Sequence, residues 1–76
     1  MEVEMSKLIA IIEDVMNSPD IAITESTRLN EDLKADSLDK VSMLMQLEED
    51  FGVEIDDDKA LAFKTVGDVY EYLRAY

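Results

Sequence analysis

The chain has 76 residues, enough for one small domain with a thin core, and no cysteine to brace that core with disulfides. Nineteen acidic residues against seven basic ones leave a formal charge of −12, which repels nucleic acid and anionic membranes and attracts divalent cations and proteins with basic patches. The absence of both His and Cys excludes Ser-His and Cys-His nucleophile pairs and Cys/His zinc sites. No apolar run approaches the roughly 20 residues of a membrane span, and the first residues lack the basic start and apolar stretch of a signal peptide. These features describe a cytoplasmic globular domain covering 1–76, with no catalytic residues and no resident metal.

The first predicted element is a helix over 3–16, in which Met5, Leu8, Ile9, Ile12, Val15 and Met16 recur at helical spacing on one face. Asn17-Ser18-Pro19-Asp20 ends it, because proline cannot continue the hydrogen-bond ladder and restricts the residue before it. Residues 21–35 form a long connection for so small a domain, and long connections in compact domains are usually functional or disordered. Ile21, Ile23, Leu29 and Leu33 supply apolar anchors, so an ordered loop is expected, with one helical turn near 29–33. A strand at 21–23 would have no partner.

A second helix is expected over 37–51. Asp36 is a good N-cap, Asp39 stands at capping-box spacing, and Gly52 supplies the C-terminal stop. Val41, Leu44, Met45, Leu47 and Phe51 are its expected buried stripe, with Asp39, Ser42, Gln46, Glu49 and Asp50 facing outward. Asp56-Asp57-Asp58 opens a short third helix over 56–63, the acids favouring its positive end. Thr65 caps a fourth helix, with Asp68 at capping-box spacing and Val66, Val69, Tyr70 and Leu73 inward. The fold class is therefore all-α: a small bundle of three main helices plus one short helix, with a long loop between helices one and two.

The chemistry-bearing stretch is Asp36-Ser37-Leu38-Asp39. Ser37 falls in the first turn of a helix, where backbone N–H groups lack partners and the macrodipole is positive, so a phosphate attached there meets an anion site. No residue of the chain can serve as its histidine base, so covalent chemistry on Ser37 has to be performed by another enzyme. The plainer alternative is that Asp36 and Ser37 only cap a helix.

The surroundings favour the functional reading. Asp32-Leu33-Lys34-Ala35-Asp36-Ser37-Leu38-Asp39, the later run Leu47-Glu48-Glu49-Asp50-Phe51-Gly52-Val53-Glu54-Ile55, and Lys64-Thr65-Val66-Gly67-Asp68-Val69 together resemble the acyl carrier protein family over nearly the whole chain. That resemblance implies that Ser37 accepts phosphopantetheine from coenzyme A through a phosphodiester, installed by a phosphopantetheinyl transferase. The arm's thiol then carries acyl intermediates as thioesters for fatty acid, lipid or secondary-metabolite (polyketide) synthesis. It also implies that Asp36 positions magnesium during transfer and that Leu38 makes an apolar contact with partners. Asp39, Glu48 and Glu49 would meet basic docking patches on acyltransferases and synthases. A monomer without enzymatic activity is implied, and rim charges of this kind steer encounter more than they add affinity.

Three positions depart from the family pattern: Lys34 stands where Gly is common, and Lys40 and Ser42 stand where small polar or acidic residues are usual. They make the surroundings of Ser37 less negative than the global charge suggests, which points to a specialised carrier with a restricted partner set rather than the housekeeping member. Met5, Met16, Met43 and Met45 either line an adjustable cleft for an acyl chain or pack as ordinary core. Rival functions are a carrier of amino acids or polyketide intermediates on the same arm, a calcium module at Asp56-Asp57-Asp58, and an acidic decoy for a basic partner. The calcium reading lacks the glycine and alternating oxygen ligands of a helix-loop-helix site.

Overall fold

The computed structural model describes residues 2–17 and 21–76. Its elements, in order, are α1 (Met5–Met16), α2 (Ser37–Phe51), α3 (Asp57–Ala62) and α4 (Val66–Ala75). α2 packs against both α1 and α3, and α4 packs against α1. The all-α bundle of three main helices and one short one is as the sequence predicts.

α1 starts two residues later than expected. Glu4 is extended, and its carbonyl accepts from the N–H groups of Lys7 and Leu8 at 3.1 Å. The helix has no side-chain cap, no acid in its first turn and no base in its last, so it is held mainly by packing: Leu8, Ile11 and Ile12 are buried. Ile11 joins the stripe that periodicity alone assigned to its neighbours. Asn17 ends α1 in the left-handed conformation (φ 51°), donating its N–H to Glu13 O at 2.9 Å; the rest of the expected stop signal, 18–20, lies outside the described residues.

The connection between α1 and α2 is ordered and sewn to the start of α4. Leu29 N–H donates to Lys64 O at 2.8 Å, Val66 N–H to Thr27 O at 3.0 Å, and Gly67 N–H to Glu25 O at 2.8 Å. Gly67 is required for that approach, because a Cβ there would stand 2.9 Å from Glu25 Cγ and 3.1 Å from Glu25 O. The expected helical turn is present, with the N–H groups of Asp32 and Leu33 both reaching Arg28 O. Arg28 clamps its far side through Glu31 and Asp32, and its hydrogen bonds hold the Asp32 carboxyl below the usual range. Ile23, Leu29 and Leu33 are buried as anchors, but Ile21 is 37% exposed and stands outside the core cluster. Thr27 and Ala35 are buried in its stead, Thr27 Oγ1 accepting from Thr24 N–H at 2.8 Å.

The caps of α2 and α4 are as expected. Asp36 and Asp39 form one capping box, Thr65 and Asp68 the other, and Gly52 closes α2 at φ 67°. Hydrogen bonds from the N–H groups of Lys64 and Thr65 hold the Asp68 carboxyl below its ordinary range. The buried stripe of α2 needs correction. Lys40, Met43, Leu44 and Leu47 are buried, whereas Met45 is 61% exposed and Val41 and Phe51 are half-buried. At about 100° per residue, Lys40, Leu44, Leu47 and Phe51 share an arc of about 60°, and Met45 lies about 130° from its centre.

α3 runs over six residues without a side-chain cap and buries Ala60. Phe63 follows it into the core, edge-on to Tyr72 at 5.6 Å between ring centroids. Of the methionines, Met43 is fully buried and Met5 and Met16 pack partly buried on the core.

Candidate functional site

Ser37 is the first residue of α2, and its backbone is fixed from both sides. Asp39 N–H donates to Asp36 Oδ1 at 2.9 Å, Asp36 N–H donates to Asp39 Oδ2 at 3.2 Å, and Lys40 N–H donates to Asp36 O at 3.0 Å. The capping box thus occupies the amides of Asp36 and Asp39. Those of Ser37 and Leu38, between them, have no partner among the described residues. The Ser37 hydroxyl is exposed at this point.

The chain enters the site through a fixed turn. Ala35 N–H donates to Leu29 O at 2.9 Å, and Ala35 O accepts from Asn30 Nδ2 at 3.0 Å. Asn30 therefore holds the carbonyl two residues before Ser37, a role its sequence context does not signal. Between the buried side chains of Leu33 and Ala35, Lys34 turns the backbone at φ 58°. That left-handed conformation explains why glycine suits the position, since a Cβ there costs about 1–2 kcal/mol. Lys34→Gly is accordingly expected to stabilise the domain by about 0.5–1 kcal/mol, the gain being offset in part by greater freedom of the unfolded chain. A thermal melt reads this as a rise of a few degrees; an unchanged or lower midpoint would contradict it.

The remaining predicted site residues divide by what they touch. Leu38 is 72% exposed, and Glu49 is exposed further along α2. Asp39 is half-buried in the capping box, and Glu48 turns back to accept from Ile55 N–H at 2.9 Å, shaping the loop after α2. Exposed Ser42 and Met45 complete a stripe with Leu38 and Glu49, at steps of four, three and four residues along one face. Met45 belongs to this surface and not to the core.

Lys40 is the largest departure from expectation. Read as a positive charge beside the acceptor, it is instead 6% exposed, and its ammonium donates to Phe63 O at 3.0 Å and to Leu61 O at 3.5 Å. The exposed lysine near Ser37 is Lys34. Asp56, Asp57 and Asp58 run in line into α3, and among the described residues no cluster of three acidic side chains could hold a metal ion.

An exposed hydroxyl, fixed at a helix start beside two unpartnered amides, fits a surface-tethered phosphate group. Residues 6–73 match the family model for the phosphopantetheine attachment site. Acyl carrier proteins of Rickettsia canadensis and Rickettsia prowazekii are each 43% identical to the chain over 68 residues, covering 90% of it and 79% of their own length. A solved structure from Mycobacterium tuberculosis, assigned as an acyl carrier protein, superposes with a TM-score of 0.84 at 32% identity, covering 93% of this chain and 95% of its own. The fold and the matched segment thus define a carrier domain with a covalently tethered arm.

The chain belongs to the acyl carrier protein family. Its prosthetic group is phosphopantetheine, which supplies the thiol that a polypeptide without cysteine lacks. No described helix is long and apolar enough to cross a membrane.

Proposed function

We propose that Ser37 is the attachment point of the phosphopantetheine arm and that the chain carries acyl groups as thioesters on its end. The observation that carries this is the exposed Ser37 hydroxyl, held at the start of a 15-residue helix by the Asp36–Asp39 capping box inside the matched segment. In the loading step the Ser37 oxygen forms a bond to the β-phosphorus of coenzyme A. The hydroxyl proton passes to a base of the transferase, and adenosine 3′,5′-bisphosphate leaves. The Ser37 and Leu38 amides then face the new phosphodiester. Asp36 retains one carboxylate oxygen outside its cap with which to position magnesium during transfer.

The chain acts as a carrier and not as a catalyst, in keeping with its lack of a Ser-His or Cys-His pair. It serves as a monomer for a phosphopantetheinyl transferase and for acyltransferases and synthases. Leu38 offers these partners an apolar contact, and the charges of Asp39, Glu48 and Glu49 steer their basic patches. Asp39 and Glu48 also hold the local fold, in the capping box and at Ile55 N–H. The exposed Lys34 and the uncharged Ser42 lower the acidity of this end of α2, which suits a specialised member with a restricted set of partners.

The test loads the protein with octanoyl-phosphopantetheine from octanoyl-coenzyme A and then treats it with neutral hydroxylamine. A thioester releases octanoyl hydroxamate and leaves the arm on the protein. Octanoyl mass that resists hydroxylamine would rule out carriage on the thiol.

A further inference from the structure

Lys40 carries a buried charge that the carrier function leaves unexplained. Its partners are not carboxylates but the carbonyls of Leu61 and Phe63, at the end of α3. The last carbonyls of any helix lack intrahelical partners, and a cation there is favoured by the macrodipole. A six-residue helix does not hold its shape alone. α3 therefore depends on its neighbours: packing on α2 with Ala60 buried, the edge-on contact of Phe63 with Tyr72 of α4, and the Lys40 ammonium of α2.

Lys40 also stands one turn from Ser37, so the two side chains are neighbours on α2. By the same helical arithmetic Ser37 falls within about 60° of Lys40 and about 20° of buried Leu44, on the side of α2 that turns toward the core. An arm rooted on Ser37 thus starts beside the seam between α2 and α3, and the Lys40 side chain spans that seam. Beyond it lie Met43, Leu47, Ala60 and Phe63, the apolar interior that an acyl chain would seek. We infer that Lys40 is a clasp across the α2–α3 seam that holds α3 closed and keeps a tethered acyl chain out of the core. The clasp is a property of the bare chain; its effect on cargo rests on Ser37 being the attachment point.

Two measurements test the two parts separately. On the bare protein, amide hydrogen exchange at Ala60 and Phe63 is compared with that at Ile12 in wild type and in Lys40→Met, which keeps the length of the stem and removes the donor. Loss of charge-assisted bonds to two carbonyls is expected to speed exchange in α3 relative to α1 by about 10-fold or more. Unchanged or slower relative exchange would overturn the clasp.

On the loaded protein, the amide resonances of Met43, Leu47, Ala60 and Phe63 are compared between acetyl and octanoyl cargo. They are expected to be the same for both cargoes in wild type and to move with octanoyl in Lys40→Met. Octanoyl-dependent shifts in wild type would overturn the gating role, and so would their absence in the variant. The wild-type comparison stays decisive even where Lys40→Met does not fold. Failure to load any cargo would strike at the Ser37 assignment and the gating role with it, while the exchange measurement still decides the clasp.

Discussion

Leu47→Ala is expected to destabilise the protein by about 2–5 kcal/mol, the range for emptying a fully enclosed leucine site. Leu47 is fully buried on α2, the helix that packs against both α1 and α3. A domain of this length has only about 4–11 kcal/mol of stability in total, so the variant sits near or past its folding limit. Urea unfolding followed by circular dichroism would show a midpoint close to zero denaturant or no folded baseline. The exposed Leu38, on the same helix, supplies the internal control: its truncation to Ala is expected to change stability by less than about 0.5 kcal/mol. Similar midpoints for the two variants would mean that α2 is oriented differently in the bundle.

Asp36 caps α2 and is proposed to position magnesium during loading, and two substitutions pull these roles apart. As N-cap of α2 its carboxylate accepts from Asp39 N–H, and asparagine caps a helix about as well. As a positioning group for magnesium it needs the charge, which asparagine lacks. Asp36→Asn is therefore expected to melt within about 0.5 kcal/mol of wild type while accepting the arm about 10–100-fold more slowly, the usual scale for losing a group that tunes a metal. Asp36→Ala loses both, with about 1 kcal/mol of stability lost as well as the slower loading. Paired melts and single-turnover loading rates decide this. Loading of Asp36→Asn at the wild-type rate would leave the residue as a cap alone.

The residues that sequence reading placed well are those whose signal is local. Asp36, Asp39 and Gly52 bound α2, and Thr65 and Asp68 open α4, because a cap acts within four residues of itself. The phase of α2 was harder to read. Met43 and Met45 are chemically equal, and the way α2 packs against α1 and α3 leaves the first buried and the second exposed. Lys40 recurs in phase with Leu44, Leu47 and Phe51, a signal that was present but masked by its charge. A lysine enters a core when backbone carbonyls await it, and those carbonyls lie more than 20 residues away in sequence. Ile21 and Thr27 exchanged roles for a similar reason: the loop is shaped by its hydrogen bonds to residues 64–67, which no local pattern reveals. Within the candidate site, the exposed helix start at Ser37 and Leu38 was legible from the capping pattern, whereas the hold of Asn30 on Ala35 and that of Glu48 on Ile55 depend on how the flanking loops fold back.

The central claim is that Ser37 bears the arm, and intact mass tests it most directly. Wild type and Ser37→Ala are incubated with coenzyme A, magnesium and a broad-specificity phosphopantetheinyl transferase, after circular dichroism has established that both are folded. The account predicts one added phosphopantetheine on wild type and none on the variant. An equal gain on Ser37→Ala, or no gain on folded wild type with any of a matched set of transferases, would contradict it.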